Sequence, residues 1–250
     1  MQDFPVYRYK TTTMQRIQQL SIRGYHWYTS GKVPHNKAQK LVEKFDALYG
    51  IGCNENQRSY RRSKGIANAK LLLYPIKDSK TFYWWLLVTD GTGEVHKKEK
   101  LSKVVGASDR LQWADEYELV WMSREGKKDL VITWRMTKKN ITAWHFRIKA
   151  SVRKRSTEDF RQALWSLQRA PGFSEVRNQV KALRRQIKKE WNRSKRKSEA
   201  MPALSPIIPY VRAADTEALP LVKVVQRMTK GLRPFPRKVT SQLAKDHAVS

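Results

Sequence analysis

Residues 81 to 89 read Thr-Phe-Tyr-Trp-Trp-Leu-Leu-Val-Thr, and this run constrains the fold more than any other. Aromatic and β-branched residues favour strands. The following Asp90-Gly-Thr-Gly93 supplies the turn that ends the run. In an extended chain Phe82, Trp84, Leu86 and Val88 point one way, while Tyr83, Trp85 and Leu87 point the other. Both sets are apolar, so this strand is expected to be central and covered on both sides.

Strand signals continue from 69 to 136. Ala69 to Pro75 is a short apolar run stopped by proline. Tyr117 to Met122 and Leu130 to Met136 flank Ser123-Arg-Glu-Gly-Lys-Lys-Asp129, which reads as a β-hairpin with a long basic tip.

Helical periodicity lies on either side of this strand-rich stretch. Thr11 to Ile22 spaces Met14, Ile17 and Leu20 by three, with Gly24 as a stop. Tyr25-His-Trp-Tyr-Thr29 reads as a short aromatic strand or loop. Pro34 to Tyr49 carries one apolar stripe, Ala38, Leu41, Val42, Phe45, Leu48 and Tyr49, and Gly50 ends it. Residues 54 to 68 are polar and basic and read as a loop. After the strands, Thr137 caps a helix running to about Arg153. A second starts near Ser156, with Phe160, Ala163, Leu164 and Leu167 inward. Pro171-Gly172 breaks it, and Ser174 is expected to cap a third. In that third helix Val176, Val180, Leu183, Ile187 and Trp191 share a face. Residues 198 to 220 are proline-rich yet too apolar for a free linker, so they are expected to pack over the body. A short helix, Leu221 to Lys230, stops at Gly231, and the tail from Arg233 to Lys238 is basic.

These elements predict an α+β fold: a mainly antiparallel central sheet flanked by N-terminal and C-terminal helices. The expected organisation is three segments. Residues 1–136 hold the N-terminal helices and the sheet. Residues 137–197 form a basic helical region packed on it, and 198–250 form a Pro-rich extended segment, a short helix and a basic tail. No internal repeat is visible.

Charge narrows the function. The 250 residues carry 51 Lys and Arg against 22 Asp and Glu, a formal net charge of +29. Such a field attracts polyanions, of which nucleic acid is the expected partner. Nine Trp, ten Tyr and seven Phe are too many for a disordered basic tail. No long apolar run suggests a membrane span, and the first residues lack the layout of a secretion signal, so no membrane partner is expected. A single cysteine, Cys53, allows no internal disulfide and fits a reducing cytoplasm.

The charge concentrates on the third helix. Residues 137 to 200 hold 19 Lys and Arg against 5 Asp and Glu. Arg177, Lys181, Arg184, Arg185, Lys188, Lys189 and Arg193 lie off the apolar stripe, with only Glu175 and Glu190 among them. Solvated helix faces usually interleave acids with bases. This pattern suits phosphate neutralisation with counterion release. Arg23, Tyr25, Trp27, Tyr28 and Lys32 form a second candidate, where flat aromatic faces beside cations suit stacking of unpaired bases.

Catalysis is the less expected class. Magnesium-dependent cleavage needs clustered carboxylates. Asp115, Glu116 and Glu118 read as an exposed strand edge, and Glu125-Gly-Lys127 falls in a turn. No metal site and no cofactor are therefore expected. Metal-free RNA cleavage needs only a base, an acid and positive charge at the phosphate. His96, beside a glycine turn, and His26, in the aromatic run, are the candidate catalytic residues. Phosphate-binding glycine loops, nicking His pairs and a clear helix-turn-helix are absent. The expected function is nucleic-acid binding, DNA or RNA, with a lean toward single-stranded or structured ligands. The alternatives are a metal-independent RNA-processing endonuclease and a duplex DNA-binding protein of plasmid or phage replication or partition, that is, of a mobile genetic element.

Overall fold

The aromatic run of 81–88 forms β4 (Thr81–Val88). It lies between β3 (Ala69–Pro75) and β2 (Trp27–Pro34) in a four-stranded antiparallel sheet of order β3-β4-β2-β5, with β5 at Ser102–Lys103. Trp85 faces Leu72 on one neighbour and Ser30 on the other. Phe82, Leu86 and Val88 are buried in one hydrophobic core, while Trp85 and Leu87 are buried in another. The central, doubly covered strand expected from the alternation is what the fold contains. The computed structural model describes residues 4–107, 109–123, 130–154, 157–194, 200–203, 205, 207–211 and 217–237.

The strand-rich region holds two sheets, not one. The second is three-stranded, β6 (Gln112–Trp113), β7 (Tyr117–Ser123) and β8 (Leu130–Met136). The expected hairpin is β7–β8; its tip, 124–129, lies outside the described residues. Trp85 and Trp113 join the two sheets, with ring centroids 4.6 Å apart and planes at 22°. β2 is the other difference: the sequence suggests only a short strand or loop at 25–29, yet the strand runs eight residues and fills an inner position. Its polar Ser30-Gly31-Lys32 stretch hides it. Gly31 is required there, because a Cβ would meet the Trp84 ring at 2.9 Å.

Helices close both cores. α1 (Lys10–Ile22) lies on β8, where the buried Trp134 donates its Nε1 proton to the Met14 carbonyl at 3.0 Å. α2 (His35–Tyr49) packs beneath the first sheet. α3 (Glu55–Ser63) occupies much of the stretch expected to be a loop. It has no buried residue, so no apolar period could reveal it. Its signal is the capping box, in which Asn54 and Gln57 exchange side-chain and backbone bonds at 2.9 Å. After the short α4 (Glu94–Lys98) come α5 (Lys138–Arg153), α6 (Thr157–Gln168) and α7 (Ser174–Arg193); α7 packs on β8, and α5 packs against both α6 and α7. Thr137 caps α5 as expected, accepting from Asn140 N at 3.2 Å. Ser174 does not cap α7: the N-cap is Phe173, and no side-chain bond closes that end. The expected stripe Val176, Val180, Leu183, Ile187 and Trp191 is buried throughout.

The three segments expected from the sequence share their cores. Met14, Val180 and Ile208 lie in one cluster. In the other, Leu221, Val224 and Met228 of α8 (Leu221–Thr229) pack with α2. β9 (Ala218–Pro220) pairs antiparallel with β1 (Pro5–Tyr7), which ties the two ends of the described chain together.

Candidate nucleic-acid interface

Burying its apolar stripe leaves α7 one outward face. Lys181, Arg185, Lys188, Lys189 and Arg193 are exposed on it. They recur at steps of three and four residues, so they form one ridge along the helix. α5 extends this charge. Lys149 and Arg153 meet Arg193, Glu190 and Ser194 around a groove of about 180 Å³. The convergence of α5 with α7 was not legible in the sequence, because it depends on how the two helices pack.

Two residues expected on that face are not available to it. Arg184 donates to the Ser205 carbonyl at 2.8 Å, and burial lowers its pKa. Arg177 donates to the Ile208 carbonyl at 3.3 Å and lies 3.2 Å over the Tyr210 ring. Both hold the extended segment around 205–211 against α7. Of the apolar residues expected to pack here, Ile208 is buried and Val211 partly so, while Ile207 and Tyr210 are exposed. The contacts with Arg177 and Arg184 remove two cations from the candidate set.

The aromatic run around residues 25–28 divides three ways. Tyr25 is 4% exposed and belongs to the core, so it offers no face for stacking. Its backbone N–H bonds the Leu20 carbonyl, which pulls the ring inward at the end of α1. Burial raises its pKa, opposed by the nearby Arg58, Arg62 and Arg23. Arg23 itself is exposed.

Trp27 and His26 converge on Asp90. The Trp27 Nε1 proton bonds one carboxylate oxygen at 2.8 Å, and His26 Nδ1 bonds the other at 2.9 Å. A carboxylate only accepts, so Nδ1 carries the proton and a neutral His26 keeps Nε2 as an acceptor. The Trp27 bond, then the His26 bond, hold the Asp90 carboxyl below its ordinary range. His96 packs edge-on against Trp27 with centroids 6.0 Å apart, and its Nε2 donates to the Thr89 carbonyl at 3.0 Å. Lys103 Nζ lies 4.3 Å from the Trp27 ring centre, so one ring face is already occupied. The two histidines, separate candidates in the sequence, therefore border one site, with Asp90 and Lys103 as unforeseen members.

Tyr28 and Lys32 line a different feature, an open cleft of about 570 Å³ where the two sheets meet. Tyr28 donates its hydroxyl proton to the Arg110 carbonyl at 2.9 Å.

The acids expected at an exposed strand edge pair with bases: Glu118 with Arg135 at 2.7 Å, Glu116 with Lys10 at 2.7 Å, and Asp115 with Lys139 at 3.8 Å. Among the described residues no group of three or more His, Cys, Asp or Glu is placed to hold a metal ion. Among them, too, no helix is long and apolar enough to cross a membrane. Comparison of the chain with protein-family models, curated proteins and solved structures found no match.

Proposed function

We propose that this protein binds nucleic acid and holds the phosphate backbone on the outward face of α7. The observation that carries the reading is the ridge of Lys181, Arg185, Lys188, Lys189 and Arg193, exposed on a helix whose apolar side is fully committed. Phosphates on such a face displace condensed counterions, so affinity is electrostatic and largely independent of sequence. The test is a panel of single-stranded, hairpin and duplex DNA and RNA across a salt series. Affinity falls on the order of 10³-fold or more from about 50 to 200 mM salt if roughly six or more phosphates are contacted. A flat salt response overturns the reading. A marked preference for duplex DNA transfers it to a duplex-binding role in replication or partition.

A second reading, metal-independent RNA cleavage, is favoured by one observation. Asp90 fixes His26 in the tautomer whose Nε2 can take a proton, the arrangement a general base needs. Lys103 supplies nearby positive charge. RNA incubated with EDTA should then yield shorter products ending in cyclic phosphate, and 2′-deoxy substrates should stay intact. Intact RNA under those conditions leaves binding as the function.

A further inference from the structure

The sheet face that carries Tyr28, Ser30 and Lys32 on β2 and Tyr83 and Trp85 on β4 is only partly covered. Trp85 is buried beneath Trp113. Tyr83, two residues earlier on the same face, is left half-buried, and beyond it the cleft opens. Its volume of about 570 Å³ falls within the usual range of small-ligand sites, about 300–1,000 Å³.

The far wall is built, not incidental. Two ring donors from the sheet hold it: Tyr28 Oη to the Arg110 carbonyl at 2.9 Å and Trp85 Nε1 to the Gln112 carbonyl at 3.2 Å. Arg110 is itself fixed by the Gly106 carbonyl at 2.7 Å and Glu118 at 3.4 Å. The wall ends in Ala114 and Asp115, both at positive φ, 49° and 58°, as the tight turn between β6 and β7 requires; Glu116 N closes that turn on the Trp113 carbonyl at 2.9 Å. That turn is held from α5, by Thr137 Oγ1 on the Asp115 carbonyl at 2.7 Å and Asn140 Nδ2 on the Glu116 carbonyl at 3.0 Å.

The lining chemistry points to one ligand class. Tyr83 supplies a half-buried aromatic ring, with Lys32 over one face at longer range than Lys103 stands over Trp27. Lys32, with Nζ 5.6 Å from the Tyr83 ring centre, and Lys100 stand exposed at the rim, and neither is in an ion pair among the described residues. Gln112 and Ser30 are exposed hydrogen-bonding groups. Asp109 and Asp115 lie on the same lining and make it unsuited to a simple polyanion groove. An aromatic face, a few hydrogen-bonding groups and two cations match a single nucleotide: a base against Tyr83, its edge toward Gln112, its phosphate between Lys32 and Lys100. A base inside a continuous duplex cannot reach such a cleft.

We infer that this cleft captures one unpaired nucleotide of a bound strand. The inference rests on the nucleic-acid reading above, and the experiment separates the two. Affinities of wild type, Lys32→Gln/Lys100→Gln and Tyr83→Leu are measured for a single-stranded DNA, a single-stranded RNA and the matching duplex, with melting curves for each protein. A 2-aminopurine base in the single strand reports stacking. The lysine pair is exposed, so that variant tests the cleft even if Tyr83→Leu fails to fold. Expected is a loss on the order of tenfold on single strands, unchanged duplex affinity and quenching of 2-aminopurine that the variants abolish. Wild-type binding that the folded lysine variant leaves unchanged, or weakens equally on duplex and single strand, overturns the cleft but not the α7 reading. No binding by wild type overturns both.

Discussion

Gly172 lies against Pro209 so closely that a Cβ on the glycine would overlap the proline carbonyl oxygen and come within 2.7 Å of Val211 N. The same glycine accepts from Val211 N at 3.1 Å. This contact docks the segment around 205–211 at the start of α7, and that docking engages Arg177 and Arg184.

Gly172→Ala should therefore destabilise the protein by about 1–3 kcal/mol, as overpacking does. Thermal melting checks it. An unchanged melting temperature would show that the segment yields without cost.

Changing Lys181, Arg185, Lys188 and Lys189 together to Gln should weaken nucleic-acid binding and leave stability nearly intact, since all four are exposed. The salt slope on a single strand should fall by roughly 0.7 for each phosphate that is no longer neutralised. Arg184→Gln should do the reverse, lowering the melting temperature by removing the bond to Ser205 while barely changing affinity. Equal effects of the two variants on binding would return Arg184 to the interface.

The Asp90 carboxyl titrates below its ordinary 3.8 because Trp27, then His26, bond its charged form. The unfolded chain thus takes up this proton first as pH falls. The bonds stabilise the fold fully above about pH 3.8, and that contribution is lost as pH falls through the lowered folded value. Asp90→Asn should destabilise at neutral pH, and the gap to wild type should shrink in acid. The effect is small, because the Asp90 side chain is 64% exposed. Melting of both proteins across pH measures it, and a gap that widens in acid contradicts the assignment.

Trp134 is fully buried and bonds the Met14 carbonyl, linking β8 to α1. Trp134→Ala should cost about 3–5 kcal/mol in chemical denaturation. A loss below about 1 kcal/mol would mean that the site collapses freely around the cavity.

Local pattern alone determined much of this protein. Period-two alternation marked 81–88 as a central strand, and period-3.6 stripes marked α2 and α5 to α7, because both periods follow from backbone geometry rather than from neighbours; Leu48, expected in the α2 stripe, is exposed. The cationic ridge of α7 was legible for the same reason, being the complement of its stripe. What lay outside reach was either unpatterned locally or decided by distant contacts. α3 buries nothing, and β2 carries a polar centre, so neither shows a clear apolar period. Tyr25 and Tyr28, three residues apart, look alike in sequence, yet one is core and the other borders a cleft. Arg184 and Arg185 are adjacent, yet the described residues of a segment some twenty positions later engage the first and leave the second exposed. His26 and Asp90 meet from 64 positions apart. Which cations stay exposed, and which rings keep an open face, is decided by long-range packing, and that is why the tertiary structure and not the sequence selects the candidate sites.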